Sequence, residues 1–301
     1  MKGQTWLITG ATGLVGSALQ RSLEQAGHHV RTLGRFSQDN TDGQAFIWDP
    51  SRRSLDRRAL DDVDVVVHLA GANVGKRWTK AHKRDILESR IQGTTLLRKE
   101  LEKCRFSGTW IQASAVGFYG NTTLPCDERS PKGEGFLADV VEAWEQAAVP
   151  PLTQAWRHVH LRLGLVLSSK GGTLEKLWPI YRLGLGAPLG SGKQPMSWIH
   201  LEDVVRLILW SAENREASGC FNATAPSAVS NEAFSHTLAQ VVDRPHWAPP
   251  VPAWALRAAM GDMASLLLEG QNAVPQRLLD MGFEWSYPNL MKALQSCLDS
   301  R

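Results

Sequence analysis

The sequence predicts an α/β fold: a doubly wound parallel sheet with a smaller, mostly helical C-terminal lobe. Three observations lead there. Short β-branched runs alternate with segments of helical period over the first two thirds of the chain. That βαβα order calls for crossover connections, which make a parallel sheet with helices on both faces. Finally, Val63 to Leu69 reads as a strand buried on both sides, and a glycine-rich turn opens the first helix.

The elements follow in order. Thr5 to Thr9 is a strand, and Leu14 to Gln25 a helix with Leu19 and Leu23 on one face. Gly27 ends that helix, as glycine just past a helix end does. Val30 to Leu33, Phe46 to Trp48 and Val63 to Leu69 give the next strands, and a helix runs from about Thr79 to Cys104. Trp110 to Ser114 is the fifth strand. Phe136 to Ala148 is helical, with Phe136, Val140, Trp144 and Ala148 four apart, and Val159 to Leu167 is the sixth strand. There the pattern breaks. Gly184 to Pro195 reads as a loop, Trp198 to His200 as extended chain, and Leu201 to about Ala212 as a helix. From Asn231 the chain is mostly helical, interrupted by the proline cluster Pro245 to Pro252. The expected division is a nucleotide-binding domain of residues 1–165 and 199–224, and a substrate-side lobe of 166–198 and 225–301.

Composition narrows the function classes. In 301 residues, 43% hydrophobic and 21% charged is ordinary globular usage, and a net charge of +3 offers no basic patch for nucleic acid or a membrane surface. The densest basic stretch, Lys76 to Arg84, fits a solvated helix face or phosphate recruitment. Cys104, Cys126, Cys220 and Cys297 show neither a CxxC nor metal-ligand spacing. No metal is expected, and free thiols without a leader or an apolar span point to a cytoplasmic protein.

The chemistry begins at Gly10-Ala11-Thr12-Gly13-Leu14-Val15-Gly16. A GxxGxxG between a first strand and a first helix is the Rossmann dinucleotide motif. Gly10 permits the tight turn, Gly13 lets the backbone approach a pyrophosphate, and Gly16 lets the helix pack closely. The free N–H groups of the helix start, around Thr12, Leu14 and Val15, then face the phosphates. The next strand ends in Gly34-Arg35, with no acid to accept from a ribose 2′-hydroxyl. Arg35 would instead attract a 2′-phosphate, which selects NADP(H) over NAD(H).

This motif, together with His68-Leu69-Ala70-Gly71-Ala72-Asn73, Ser114, Leu161-Arg162 with Gly164, and Trp198-Ile199-His200-Leu201-Glu202-Asp203-Val204, resembles the extended short-chain dehydrogenase/reductase superfamily. Arg77-Trp78, Glu88-Ser89-Arg90, Trp144-Glu145, Arg182 to Gly186, Gly190-Ser191-Gly192 and Leu268 to Gln271 with Pro275 and Arg277 are similar to one subgroup of it, the nucleoside-diphosphate-sugar epimerase-like proteins with a C-terminal domain of unknown function. The resemblance implies that Leu69, Ala70 and Gly71 pass beneath the adenosine side of the cofactor. It also implies that Arg90 reaches cofactor phosphate or ribose, with a surface ion pair as the alternative.

The proton relay of that superfamily, Tyr-x-x-x-Lys, is missing. Thr123, Leu185 and Met291 follow the three tyrosines, Tyr119, Tyr181 and Tyr287, at the fourth position. Setting Trp144-Glu145 on the family helix puts Leu137 and Val141 at the Tyr and Lys positions. Ser114, at the end of the fifth strand, and Tyr119 remain as candidate catalytic residues. His200 with Asp203 could form an acid/base pair, although a backbone-bonding histidine and a carboxylate at a helix start explain them equally. Asp127-Glu128 before Ser130-Pro131 reads as a turn. Two functions stay open: an NADP(H)-dependent oxidoreductase or epimerase-like enzyme acting on a small carbonyl compound or sugar nucleotide, and a non-catalytic NADP(H) sensor or scaffold.

Overall fold

The computed structural model describes residues 3–35, 44–150 and 156–300. In chain order, β1 (Thr5–Thr9), α1 (Leu14–Gln25) and β2 (His29–Gly34) form the first βαβ unit. β3 (Ala45–Asp49), β4 (Ser54–Leu55), β5 (Val65–His68), α2 (Lys80–Lys103) and β6 (Thr109–Ala115) follow. Next come β7 (Thr122–Cys126), α3 (Phe136–Ala148), β8 (Arg157–Leu163), β9 (Leu165–Leu167) and α4 (Gly172–Arg182). The remainder is β10 (Pro195–Met196), β11 (Trp198–His200), α5 (Leu201–Glu213), β12 (Gly219–Ala223), β13 (Val229–Ser230), α6 (Asn231–Val241), α7 (Ala253–Met260), α8 (Ser265–Leu268), β14 (Gln271–Ala273), α9 (Gln276–Asp280) and α10 (Leu290–Asp299).

Eight strands make the main sheet in the order β12-β8-β6-β5-β1-β2-β3-β4. Neighbours from β12 to β3 are parallel, and β4 returns antiparallel along β3. Strand alternation divides the core. Trp6, Ile8, Val65 and Val67 face Leu19 and Leu23 of α1 and Val204, Leu207 and Ile208 of α5. Leu7, Val66 and Trp110 face Leu96, Leu97 and Leu101 of α2. The central strands β1, β5 and β6 are thus buried on both sides, which is why their runs are apolar. A third cluster joins Leu174 and Trp178 of α4 to Phe234 and Leu238 of α6 and Leu290 and Leu294 of α10.

The strand order reverses between β1 and β5, so the crevice beyond their carboxyl ends is where a doubly wound sheet binds its ligand. Gly10 after β1 and Leu69 after β5 meet there. A Cβ on Gly10 would stand 2.9 Å from the Leu69 carbonyl carbon, and Gly10 has φ +74°, so glycine is needed twice over.

One predicted strand is divided. Val159 to Leu167 was expected to be continuous, but it splits at Gly164 into β8 and β9. The Gly164 N–H donates to Ala223 in β12, whereas Leu165 N–H donates to Ser197 beside β11. The chain changes partners at a point where a Cβ would lie 2.6 Å from the Ser197 carbonyl oxygen. β9 then pairs with β11. A second four-stranded sheet, β13-β10-β14-β7, joins the loop after β6 to the C-terminal part of the chain. Its strands of two to five residues are too short to show a period, and α4 carries Pro179 inside it, so the sequence marked none of them.

Candidate functional site

The glycine corner is assembled from what side chains leave free. A Cβ on Gly16 would sit 2.3 Å from the Gly10 carbonyl oxygen, so helix and turn touch. A Cβ on Gly13 would meet only the Gly10 carbonyl oxygen, at 3.2 Å, and Thr12 and Gly13 are exposed. No side chain caps α1 and no acid occupies its first turn, so its N–H groups and dipole face the crevice. Leu14 and Val15 offer this backbone while Val15 packs into the core. A cavity of about 430 Å³ opens beside Thr12, Gly13 and Leu14. The corner therefore fits a diphosphate: it has room, donors and no competing carboxylate. Arg35 follows β2 directly and is exposed.

The turn after β5 is held by a buried chain of hydrogen bonds. Ala70 N–H donates to Thr9 Oγ1 at 3.2 Å, leaving the Thr9 hydroxyl to donate to His68 Nδ1 at 2.6 Å. That direction puts the imidazole proton on Nε2, which donates to Thr94 Oγ1 at 3.0 Å; Trp144 Nε1 donates to the same oxygen at 3.1 Å. Burial pushes His68 down to about 3, with the Arg90 charge adding to it, so the ring stays neutral. Arg90 lies beneath the same turn. Its Nη1 donates to the Ala72 and Ile86 carbonyls at 3.2 and 3.0 Å, and its guanidinium stacks 4.9 Å from the Trp144 ring centre. Burial pulls it down to about 10. A Cβ on Gly71 would stand 3.1 Å from the Arg90 Cζ. Arg90 has no carboxylate partner among the described residues, so the surface ion pair is not what the structure contains.

Ser114 and Tyr119 are brought together, but through other residues. Ser114 Oγ donates to Glu145 Oε1 at 2.5 Å. Arg162 grips that carboxylate with two bonds, Nε to Oε1 at 2.9 Å and Nη2 to Oε2 at 2.8 Å. Its remaining Nη1 donates to the Tyr119 hydroxyl at 3.0 Å, and Tyr119 donates to Asn222 Oδ1 at 2.7 Å. Asn222 Nδ2 then donates to the Cys126 and Val274 carbonyls. Burial would lower the Arg162 guanidinium, but the bonds and charge of Glu145 outweigh it and hold it above its ordinary value. Burial pushes the Tyr119 phenol up to about 12 despite Arg162. The network joins β6, α3, β8 and β12. Its signal in the sequence was a charge inside each of two apolar runs, Glu145 in a helix and Arg162 in a strand.

Leu137 and Val141, at the relay positions, lie in the first two turns of α3. Leu137 packs with Trp78, Phe136, Val140, Met263 and Leu266 in an apolar cluster. His200 and Asp203 do not face each other as an acid/base pair. His200 Nδ1 accepts the Glu202 N–H at 3.3 Å and caps α5, and burial pushes the ring down to about 4. Asp203 accepts the backbone N–H groups of Ser286 and Tyr287 at 2.6 and 3.0 Å. Glu128 behaves likewise, accepting the N–H groups of Asn222 and Arg277. The basic stretch contributes Lys83, whose ammonium reaches Asp262 at 2.6 Å and lies over the Trp78 and Phe136 rings. No helix among the described residues is long and apolar enough to cross a membrane.

Comparison with known proteins gives the same picture. Residues 6–223 match the NAD dependent epimerase/dehydratase family, and residues 251–297 match a domain of unknown function, DUF1731. An epimerase family protein of Mycobacterium tuberculosis is 40% identical over 292 residues, 95% of each chain. One from Staphylococcus aureus is 35% identical over 97% of this chain and 98% of its own. Among solved structures, a human epimerase family protein, SDR39U1 (isoform 2), crystallised with NADPH, superposes with a TM-score of 0.90 at 32% identity, covering 99% of this chain and 100% of that one. A nucleoside-diphosphate sugar epimerase of Corynebacterium glutamicum gives 0.81 at 31% identity, with the whole of this chain matching 59% of that one. The chain therefore belongs to the NAD-dependent epimerase/dehydratase family of extended short-chain dehydrogenases, in the branch that carries a DUF1731 domain at its C-terminal end.

Proposed function

We propose that this protein binds NADP(H) across the carboxyl ends of β1, β2 and β5 and exchanges hydride with the carbonyl group of a small molecule. The observation that carries the reading is the glycine corner, where an uncapped helix start faces open space. The α1 backbone would hold the diphosphate, Arg35 the 2′-phosphate, and the Leu69-Ala70-Gly71 turn the adenosine side, with Arg90 keeping that turn in place. The human relative, crystallised with NADPH, supports the choice of dinucleotide. When bound, the nicotinamide supplies the hydride chemistry; the chain binds, orients and excludes water.

The proton is the weak point of this site. Tyr119 has its hydroxyl hydrogen on Asn222 and its oxygen on Arg162, and a phenol pushed up to about 12 is a reluctant acid at neutral pH. Ser114 has its hydroxyl hydrogen on Glu145. In this reading the two expected catalytic residues hold the end of β6 in place, and water supplies the proton. Turnover is then slow, below roughly 1 s⁻¹, and favours activated carbonyls over plain sugars. The test is a fluorescence titration with NADPH and NADH, followed by NADPH oxidation against a carbonyl panel. Equal affinity for the two, or preference for NADH, would sink the cofactor assignment. A second reading, an NADP(H) sensor or scaffold without turnover, is favoured by Leu137, which packs into apolar neighbours where the family has its tyrosine. It predicts tight NADPH binding with no oxidation by any member of the panel.

A further inference from the structure

The cavity at the glycine corner has a second wall that the dinucleotide motif does not account for. One side is Thr12, Gly13 and Leu14; the other is Lys170, Gly171 and Gly172, from the loop after β9 and the start of α4. Arg21, two turns into α1 on the same helix face as Leu14 and Ser17, lines it as well. Two cations and, among the described residues, no carboxylate line this cavity; the adjoining cavity, which Arg21 and Lys170 also line, has Glu202 in its wall. Neither Lys170 nor Arg21 forms an ion pair among the described residues, and both are exposed. Glu175, in the first turn of α4, comes within 3.9 Å of where a Gly171 Cβ would stand but does not line the cavity. An anion entering the cavity would be attracted by both positive charges.

Space on the second wall is kept by small residues. Cβ atoms on Gly171 and Gly172 would both touch the Leu14 side chain, at 3.5 and 3.4 Å, so the loop lies close against the start of α1. The same loop is fixed from behind by the C-terminal part of the chain. β9 is paired with β11, and Leu174 and Trp178 of α4 are buried against Phe234, Leu238, Leu290 and Leu294. Lys170 is thus carried on a rigid support rather than on a free surface loop.

We propose that Lys170 is a cofactor-binding residue: its ammonium neutralises the diphosphate from the side opposite the glycine motif, and Arg21 adds longer-range attraction. This rests on the NADP(H) reading above. Because NADH and NADPH share the diphosphate, Lys170 acts equally on both, whereas Arg35 acts on NADPH alone. The cofactor then sits between a wall from the first βαβ unit and a wall supported by α4, α6 and α10, and its binding tightens that second wall.

The experiment is a binding titration of full-length wild type, Lys170→Gln, Lys170→Arg and Gly13→Val with NADPH and with NADH, at low and moderate salt. Expected is a loss of about 10-fold for Lys170→Gln with both dinucleotides, near-recovery in Lys170→Arg, and a shallower salt dependence in the Gln variant. Hydrogen exchange should show NADPH protecting α4 in wild type and protecting it less in Lys170→Gln. Lys170→Gln affinities equal to wild type, in a folded variant, overturn the proposal while loss of binding in Gly13→Val leaves the cofactor reading standing. A loss confined to NADPH also overturns it, by moving the lysine to the 2′-phosphate. If wild type binds neither dinucleotide, the cofactor reading falls and this inference falls with it.

Discussion

Two corners of the main sheet, one beyond β1 and β5 and the other beyond β6 and β8, are made in opposite ways. The first is a set of omissions: three glycines, an uncapped helix and exposed cations that form no ion pair among the described residues. The second is filled with polar groups that already have partners: Ser114, Glu145, Arg162, Tyr119 and Asn222 bond one to the next in a continuous chain. A corner with unspent donors is ready for a ligand. A corner whose side chains chiefly bond one another holds the frame together. Under the proposed function, binding and framework are separated along one sheet edge, and neither corner contains the Tyr-x-x-x-Lys pair.

That contrast can be broken, and the largest effect should come from the filled corner. Arg162→Met strands the buried Glu145 carboxylate and should cost about 3–5 kcal/mol in chemical denaturation. A loss under ~1 kcal/mol would mean the pair is solvated and the corner open. Gly13→Val attacks the empty corner instead. It should leave the denaturation midpoint nearly unchanged and weaken NADPH by at least ~100-fold, since a side chain would fill the diphosphate's place. Retained affinity in the folded variant would remove the diphosphate from that corner.

Arg35→Ala should narrow the gap between NADPH and NADH by about 10- to 100-fold, the range expected of a charge-assisted bond. An unchanged gap assigns the 2′-phosphate elsewhere. Acid should act on the packing beneath the empty corner. The His68 pKa is depressed in the folded protein, to about 3 from an ordinary 6.5, so its contribution is complete above about 6.5 and is lost as pH falls from there toward 3. Between pH 6.5 and 5 that amounts to roughly 2 kcal/mol. His68→Gln should flatten this limb of the stability profile, and a limb that is already flat in wild type would contradict a neutral buried ring. Least of all, Tyr119→Phe should lose about 1 kcal/mol of stability while keeping NADPH affinity and any carbonyl reduction. A collapse of turnover with binding intact would restore Tyr119 as the proton donor.

The empty corner was legible in the sequence because its signal is local. Gly10, Gly13 and Gly16 sit within seven residues, and each has a geometric reason to lack a side chain. The helix Phe136–Ala148 was legible for the same kind of reason, its apolar residues falling four apart. The filled corner was not, because its members lie far apart: Tyr119 bonds Asn222 across 103 positions, and Arg162 bonds Tyr119 across 43. Ser114 and Tyr119 were found as candidates by their place after a strand, but their partners could not be read from that place. Lys170 carries no such local signal, because a lone lysine before two glycines looks like any exposed turn.

Asn222 has one more consequence, for how the molecule comes apart. Its side chain ties together segments that begin near Tyr119 and end at Val274, and its own strand enters the sheet late in the sequence. Contacts that close such long loops are entropically costly to form before the rest of the chain is in place. The network is therefore expected to form in the last stage of folding, after the transition state. A change there, such as Asn222→Ala, should leave the refolding rate almost untouched and speed unfolding, so that the tie acts chiefly on how long the native protein lasts.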